Sequence, residues 1–116
     1  MSEGFWRGLE ELAAGGKMII DRPAGTAHPR YPDFIYPLDY GYLEGTTAAD
    51  GGGIDVWVGS LPERRLAAVV CCVDRIKRDT ELKLLFGCTP EEMALILAVH
   101  NSGSQSALLV RRGADE

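Results

Sequence analysis

The sequence predicts an α+β domain that is mainly β, with five or six short strands in a small barrel or strongly curved sheet and a helix toward each end. Three observations support this fold class. Short apolar runs alternate with turn residues, apolar residues at helical spacing occur near the N-terminus, and a capping signal marks a second helix late in the chain. With 116 residues, the chain is long enough for one domain, residues 1–116, with a small core.

The first third of the chain predicts one helix, one strand and a stiff loop. Apolar residues at helical spacing predict an amphipathic helix over Phe5–Ala14, which two glycines end. Residues 17–21 predict a short strand. Four prolines between positions 23 and 37 predict an extended loop without regular structure, because each proline ring fixes its φ.

The rest of the chain predicts further strands and the second helix. The strands cover residues 54–59, 66–76, 81–86 and 106–112, and residues 77–80 form a hairpin turn. The run over residues 66–76 is almost continuously apolar, which predicts burial on both faces. Thr89 and Glu92 form a capping box around a proline at the first helical position, so a helix begins here and continues to about His100.

Composition and charge argue against several classes of protein, namely nucleic-acid-binding, zinc-binding, disulfide-rich and membrane-spanning proteins. The net charge of −5 argues against nucleic acid as a partner, because binding to a phosphate backbone requires a basic face. The three cysteines, Cys71, Cys72 and Cys88, lack the spacing of a zinc site or a disulfide framework and predict buried free thiols. No apolar run approaches the ~20 residues of a membrane span, and no signal region begins the sequence. We therefore expect a cytoplasmic protein without a membrane partner.

The segment from Tyr36 to Val58 contains the strongest functional signal. Asp50 and Asp55 flank a glycine triplet just before a predicted strand, so a tight turn can bring both carboxylates to one cation. Oxygen ligands alone favour Mg²⁺, Mn²⁺ or Ca²⁺ over zinc. The residues alone also allow a solvated Asp-Gly turn.

A second acidic group surrounds the predicted hairpin turn. Asp74, Asp79 and Glu81 alternate with basic residues there. On an antiparallel hairpin, Asp79 and Glu81 lie at or just after the turn. They are candidates for further metal ligands, and a surface hairpin of mixed charge is the alternative.

A third group combines an arginine with two tyrosines. Arg30, in the proline-rich loop, can present a planar guanidinium to phosphate oxygens. Tyr36 and Tyr40 can donate phenolic hydrogen bonds, although tyrosines among prolines also serve as packing residues. His28 and His100 are isolated in the sequence, and we assign neither a catalytic role.

Two stretches of this region together resemble a known family. Residues 36–46 read Tyr-Pro-Leu-Asp-Tyr-Gly-Tyr-Leu-Glu-Gly-Thr, and residues 50–56 read Asp-Gly-Gly-Gly-Ile-Asp-Val. They resemble the soluble Mg²⁺-dependent inorganic pyrophosphatases of the barrel-forming type, which carry Tyr-Pro-x-x-Tyr-Gly-[Phe/Tyr]-[Ile/Leu]-x-x-Thr and then Asp-Gly-Asp-Pro-hydrophobic-Asp-Val. The spacing matches without a gap. Weaker similarity extends over roughly residues 17–86.

The resemblance implies a fold, a reaction and a set of site residues. The fold is a closed, OB-like antiparallel barrel with outer helices. The reaction is hydrolysis of pyrophosphate, or a related phosphoanhydride, to two phosphates by a metal-activated water, with Mg²⁺ or Mn²⁺ as cofactor. The implied catalytic metal ligands are Asp50 and Asp55, joined in the metal site by Asp79 and Glu81. The implied phosphate ligands are Arg30, Tyr36, Tyr40 and Lys83. Asp74 competes for one metal-ligand position, and Asp21 is an implied outer carboxylate.

Two departures from the family pattern keep an alternative function open. Gly52 occupies the position of an aspartate that helps to generate the attacking hydroxide in the family. His100-Asn101-Ser102 stands where the family has a phosphate-binding Tyr-Lys pair. The alternative is a non-catalytic relative that binds metal and diphosphate as a sensor or interaction module. The short barrel leaves apolar surface uncovered, so we also expect a homo-oligomer.

Overall fold

A computed structural model describes residues 2–113 as a six-stranded mixed sheet with two helices. Met1 and residues 114–116 of the predicted domain lie outside the described residues. In chain order the elements are α1 (Glu3–Gly15), β1 (Lys17–Arg22), β2 (Asp39–Glu44), β3 (Ile54–Val58), β4 (Leu66–Asp74), β5 (Asp79–Phe86), α2 (Pro90–Val99) and β6 (Gln105–Arg111). Neither of these helices has the length and apolar character of a membrane-spanning segment.

The strands lie side by side in the order β1-β2-β3-β5-β4-β6. All neighbours are antiparallel except β3 and β5, which run parallel because the β4–β5 hairpin joins β3 through its second strand. Within the described residues, β1 pairs only with β2, and β6 pairs only with β4. The sheet is therefore open and mixed, and the closed antiparallel barrel expected from the sequence is not confirmed.

Strand β2 is an element that the sequence pattern does not predict. Its six residues include a glycine at the centre and acidic residues at both ends, which is unusual for a strand. The glycine is required by packing, because a Cβ at Gly41 would overlap the carbonyl oxygen of Ile19 on β1. Strand β1 has an irregular register next to this contact, between Ile20 and Arg22. The close approach of the β1 and β2 backbones therefore explains why β2 contains a glycine, and the glycine explains why the sequence does not predict this strand.

The sheet separates two apolar cores. On one face, α1 contributes Trp6 and Leu9, which pack with Leu43, Val56 and Leu84. On the other face, α2 and the β1–β2 loop cover a second cluster, which includes Tyr36, Trp57, Leu85, Met93 and Ile96. Burial of each large apolar side chain contributes ~1.5–3 kcal/mol. Both tryptophans, Trp6 and Trp57, are buried in these cores.

The other predicted elements agree with the structure to within two residues at each end. The capping box of α2 is present, since the Oγ of Thr89 accepts the backbone N–H of Glu92 at 3.2 Å and the Glu92 carboxylate accepts the Thr89 N–H at 2.9 Å. The loop over residues 23–37 is irregular apart from one bridge between Ala27 and Ile35.

Strand β4 is buried on both faces only in its first half. Ala68, Val69 and Val70 are buried, whereas Cys71 and Val73 are exposed. The prediction of three buried thiols is therefore wrong for Cys71. Cys72 and Cys88 are buried, and all three cysteines are free, as predicted.

Candidate active site

A cleft of about 580 Å³ opens on the sheet face that α2 covers. Tyr40, Trp57 and Lys83, from the central strands β2, β3 and β5, form its floor. Tyr40 pairs directly with Trp57 in the sheet, which places both side chains on the same face. The walls are the β1–β2 loop, the β4–β5 turn and the segment after α2. Residues distant in the sequence therefore meet in one concave site.

Lys83 is the centre of the polar network in this cleft. Its buried Nζ donates hydrogen bonds to Oδ2 of Asp55 at 2.8 Å and to the hydroxyl of Tyr40 at 2.9 Å. A third partner is Oε2 of Glu81, 3.6 Å away. Burial lowers the pKa of Lys83, but its interactions with Tyr40 and Asp55 outweigh burial and leave the pKa raised. The site therefore contains a fixed positive charge.

Tyr40 is a neutral hydrogen-bonding group within this network. Burial raises the pKa of its phenol far above the ordinary value, and the neighbouring Asp55 adds to that rise, whereas the charge of Lys83 opposes it. A neutral phenol that accepts a hydrogen bond from lysine retains its own proton for donation. Tyr40 is thus suited to hold an oxygen atom of Asp55 or of a ligand.

Glu81 is a carboxylate whose negative charge is disfavoured by its surroundings. Burial raises its pKa, Lys83 lowers it, and the negative charges of Asp55, Asp50 and Asp79 raise it further. A carboxyl group in a cleft with a raised pKa can exchange a proton closer to neutral pH than an exposed one can. Glu81 is therefore a candidate acid–base group of the cleft.

Asp50 is not among the described residues that line the cleft. Asp79 and Glu81 both line the cleft, because alternate residues of β5 face it. Asp50 instead lines a smaller neighbouring cavity of about 490 Å³, which it shares with Asp79. Its Oδ1 accepts the backbone N–H of Gly52 at 3.0 Å, so this carboxylate stabilises its own turn. Asp50 thus lies near the network without touching Lys83.

Asp74, the competing metal ligand, stabilises the β4–β5 turn. Its Oδ1 accepts the backbone N–H groups of Ile76 and Lys77, each at 3.0 Å, and the hydroxyl of Ser104 at 2.9 Å. The hydrogen bond from Lys77 is the main reason that the pKa of Asp74 is lowered, and those from Ser104 and Ile76 add to it. The carboxylate therefore joins the turn to the segment before β6.

Three other predicted residues lie outside the polar network. Arg30 is exposed and is not among the described residues that line the cleft. Tyr36 is 6% exposed, lines the cleft and packs against Tyr40, with ring centroids 5.4 Å apart. Asp21 is exposed and lies 3.8 Å from its neighbour Arg22. The packing alternative for Tyr36 therefore agrees with its place in the second core.

Aromatic side chains line one side of the cleft, and the sequence does not predict most of them as site residues. His28, Tyr31 and Phe34 from the β1–β2 loop extend the aromatic floor toward solvent. The rings of His28 and Tyr36 are stacked, at 13° and 6.1 Å, and those of Phe34 and Tyr36 meet edge to face at 5.0 Å. The recurrence of an aromatic residue every two or three positions from 28 to 36 is the sequence signal for this wall.

His100 holds the deepest aromatic ring in place. It is 6% exposed, and its Nε2 accepts the indole N–H of Trp57 at 3.0 Å. Its Nδ1 lies 3.0 Å from Oε1 of Gln105 and must therefore carry the proton. Burial lowers the pKa of His100, although the hydrogen bond to Gln105 opposes this. Because 43 positions separate His100 from Trp57, no local pattern predicts the contact.

In the described part of the chain, the carboxylates that line the cleft do not form a closed protein cage for a metal ion. Among residues 2–113, no group of three or more histidine, cysteine, aspartate or glutamate side chains is arranged to hold a metal. Mg²⁺ usually needs only one or two carboxylates, together with waters and substrate phosphates. Asp79, which lines the cleft, can supply one such carboxylate.

Comparisons with known proteins leave the family of this chain open. No family model matches the sequence, and no curated protein matches it. One similar structure is the crystal structure of an inorganic phosphatase from Anaplasma phagocytophilum, which is 15% identical in sequence and has a TM-score of 0.49. The match covers 81% of this chain and 78% of that chain. A likeness of this size supports no conclusion about what the chain binds or does.

Proposed function

We propose that the cleft binds a magnesium diphosphate and hydrolyses it, with inorganic pyrophosphate as the simplest substrate. The observation that carries this proposal is a convergence of side chains. The pyrophosphatase resemblance names Lys83 and also its three partners. The side chains of Tyr40, Asp55 and Glu81 lie within 2.8–3.6 Å of the Lys83 ammonium, although up to 43 positions separate them from it in the sequence. A chance resemblance of sequence would not require these side chains to come together, nor Tyr40, Glu81 and Lys83 to line the same cleft.

Each residue has a role that follows from its surroundings. Lys83 supplies a fixed positive charge toward the phosphates, and Asp55 and Tyr40 hold its ammonium in position. Glu81, whose pKa burial raises, accepts a proton as water adds to one phosphorus and the bridging P–O bond breaks. When bound, Mg²⁺ supplies neutralisation of the phosphate charge and activation of water. The products are two phosphates.

A pair of matched glutamate variants tests hydrolysis. We expect the wild-type protein to release phosphate from pyrophosphate in Mg²⁺ and to stop when EDTA is added. Glu81→Gln removes the proton acceptor and is expected to lower kcat by ~10²–10⁴-fold. Glu63→Gln, at an exposed site outside the cleft, is the control and keeps the wild-type rate. The proposal fails if the wild type shows no Mg²⁺-dependent release, or if both variants turn over equally fast.

A second candidate is binding of the magnesium diphosphate without turnover. Two observations favour it: Gly52 stands in place of the family aspartate, and the Lys83 ammonium already has three protein partners. In that case calorimetry with Mg²⁺ and pyrophosphate detects binding by the wild type, while the phosphate assay detects no product.

If the wild type binds pyrophosphate without releasing phosphate, the Gly52→Asp variant tests whether the missing carboxylate is the cause. A Cβ at Gly52 meets only Oδ1 of Asp50, at 3.5 Å, so the side chain has room. If the missing carboxylate is the cause, Gly52→Asp gains phosphate release and the isosteric Gly52→Asn does not. Rapid turnover by the wild type would rule out this second candidate.

A further inference from the structure

The mouth of the cleft carries an aromatic ring that is exposed but held in place. Tyr31 lines the cleft and is 62% exposed. The backbone N–H groups of Arg30 and Tyr31 donate to Nδ1 of His28 at 3.0 and 3.3 Å, and the rings of His28 and Tyr31 lie 5.0 Å apart. His28 in turn stacks on the buried Tyr36. A ring positioned in this way loses little conformational freedom when a ligand contacts it.

A second segment that lines the cleft, the β4–β5 turn, is also anchored by hydrogen bonds. Ile76 is 81% exposed and lines the same cleft as Tyr31, next to Lys77. The backbone of this wall is anchored because the N–H groups of Ile76 and Lys77 both donate to Asp74. The cleft thus has an aromatic and apolar mouth above a floor that carries the charges of Lys83 and Glu81.

The dimensions of the cleft exceed the needs of inorganic pyrophosphate. Its volume of about 580 Å³ lies within the range of ~300–1,000 Å³ found for pockets that hold drug-sized ligands. Pyrophosphate is much smaller and entirely charged, so it would leave the aromatic mouth in contact with water only. Flat aromatic groups such as nucleobases stack on tyrosine and histidine rings.

We propose that the ligand is an organic diphosphate with a flat aromatic group, of the class of nucleoside diphosphates. This inference rests on the proposed diphosphate site. The phosphates lie toward Lys83, and the ring stacks on Tyr31 at the mouth. In hydrolysis, water adds to one phosphorus, the bridging P–O bond breaks, and a proton of the water passes to the leaving phosphate group. The products are a nucleoside monophosphate and phosphate.

Two non-hydrolysable probes test this inference by calorimetry in the presence of Mg²⁺. α,β-Methylene-ADP carries the aromatic group, and methylenediphosphonate lacks it. We expect α,β-methylene-ADP to bind at least about fivefold more tightly, as one base–aromatic stack provides. Tyr31→Ala removes this difference without changing the affinity for methylenediphosphonate, and Tyr31→Phe keeps it. Phe5→Ala, an exposed aromatic residue on α1, is the control with unchanged affinities.

The outcomes separate this inference from the function on which it rests. If methylenediphosphonate binds and α,β-methylene-ADP binds no more tightly, the organic ligand is excluded and the diphosphate site stands. Equal weakening of both probes by Tyr31→Ala also overturns the stacking role. If neither probe binds, the proposed function and this inference both fall.

Discussion

At the scale of single residues, Lys83 and its partners distinguish the site from an ordinary surface hairpin. A buried lysine is costly unless paired, and here Asp55, Tyr40 and Glu81 surround its Nζ. Removing one member of such a group leaves another charge unpaired, so the four side chains act as a unit. Variants at these positions therefore report on the whole network.

The two histidines of the cleft predict how stability depends on pH. The pKa of His28 is lowered mainly by burial and then by Arg22, Lys77 and Arg30, and burial also lowers the pKa of His100. The folded protein therefore favours the neutral forms, while the unfolded chain takes up protons near the ordinary value of 6.5. Stability from the neutral histidines is complete above that value and is lost as the pH falls through the lowered pKa.

We expect the free energy of unfolding to fall between about pH 7 and pH 5, as followed by urea denaturation. The double variant His28→Gln, His100→Gln should show a flatter dependence over the same range. Glu81 acts in the opposite sense because its pKa is raised, so the comparison of wild type with variant isolates the histidines. Parallel pH curves for the two proteins would contradict the prediction.

At the scale of elements, the contact between β1 and β2 depends on one glycine. Gly41→Ala forces a Cβ against the carbonyl oxygen of Ile19 and is expected to lower the free energy of unfolding by at least about 2 kcal/mol. Gly8→Ala, in the interior of α1 with no atom within 4 Å, is expected to raise it by about 0.5–1 kcal/mol. Chemical denaturation of both variants measures the contrast.

The predicted contrast depends on backbone packing and not on glycine itself. If Gly41→Ala is as stable as the wild type, the two strands can separate at this point, and the close approach does not restrict the residue. The Gly8→Ala variant shows that replacing a glycine is not harmful in general.

At the scale of the whole molecule, the open sheet leaves β6 as an edge strand with exposed Leu108. Leu108 is 71% exposed, and apolar side chains on an unpaired edge favour association between chains. We expect the wild type to form homo-oligomers at micromolar concentrations, as measured by light scattering. Leu108→Lys places a charge on this edge and should shift the protein toward monomer. A monomeric wild type would contradict the expectation.

Local signals predicted the elements well, and non-local contacts explain most of what they missed. The capping box of α2 and the apolar runs of β3 and β4 are properties of adjacent residues, so the sequence reveals them. Strand β2 is not predicted because its central residue, Gly41, is required by the close approach of the Ile19 backbone on β1 and is unfavourable in a strand by itself. The site shows the same difference between local and distant signals. Asp55 is predicted because it belongs to a short motif with a recognisable spacing, whereas the contact of Trp57 with His100 is not predicted because it joins distant segments.

The parallel pairing of β3 with β5 has a consequence for folding. Asp55 and Lys83 are 28 positions apart, and the whole of β4 lies in the chain between their strands. Closing such a loop costs entropy before the non-local contacts compensate for it, so pairs of this kind tend to form late. A nascent chain that ends before β5 therefore contains Tyr40 and Asp55 but lacks Lys83, the residue that joins them in the folded protein.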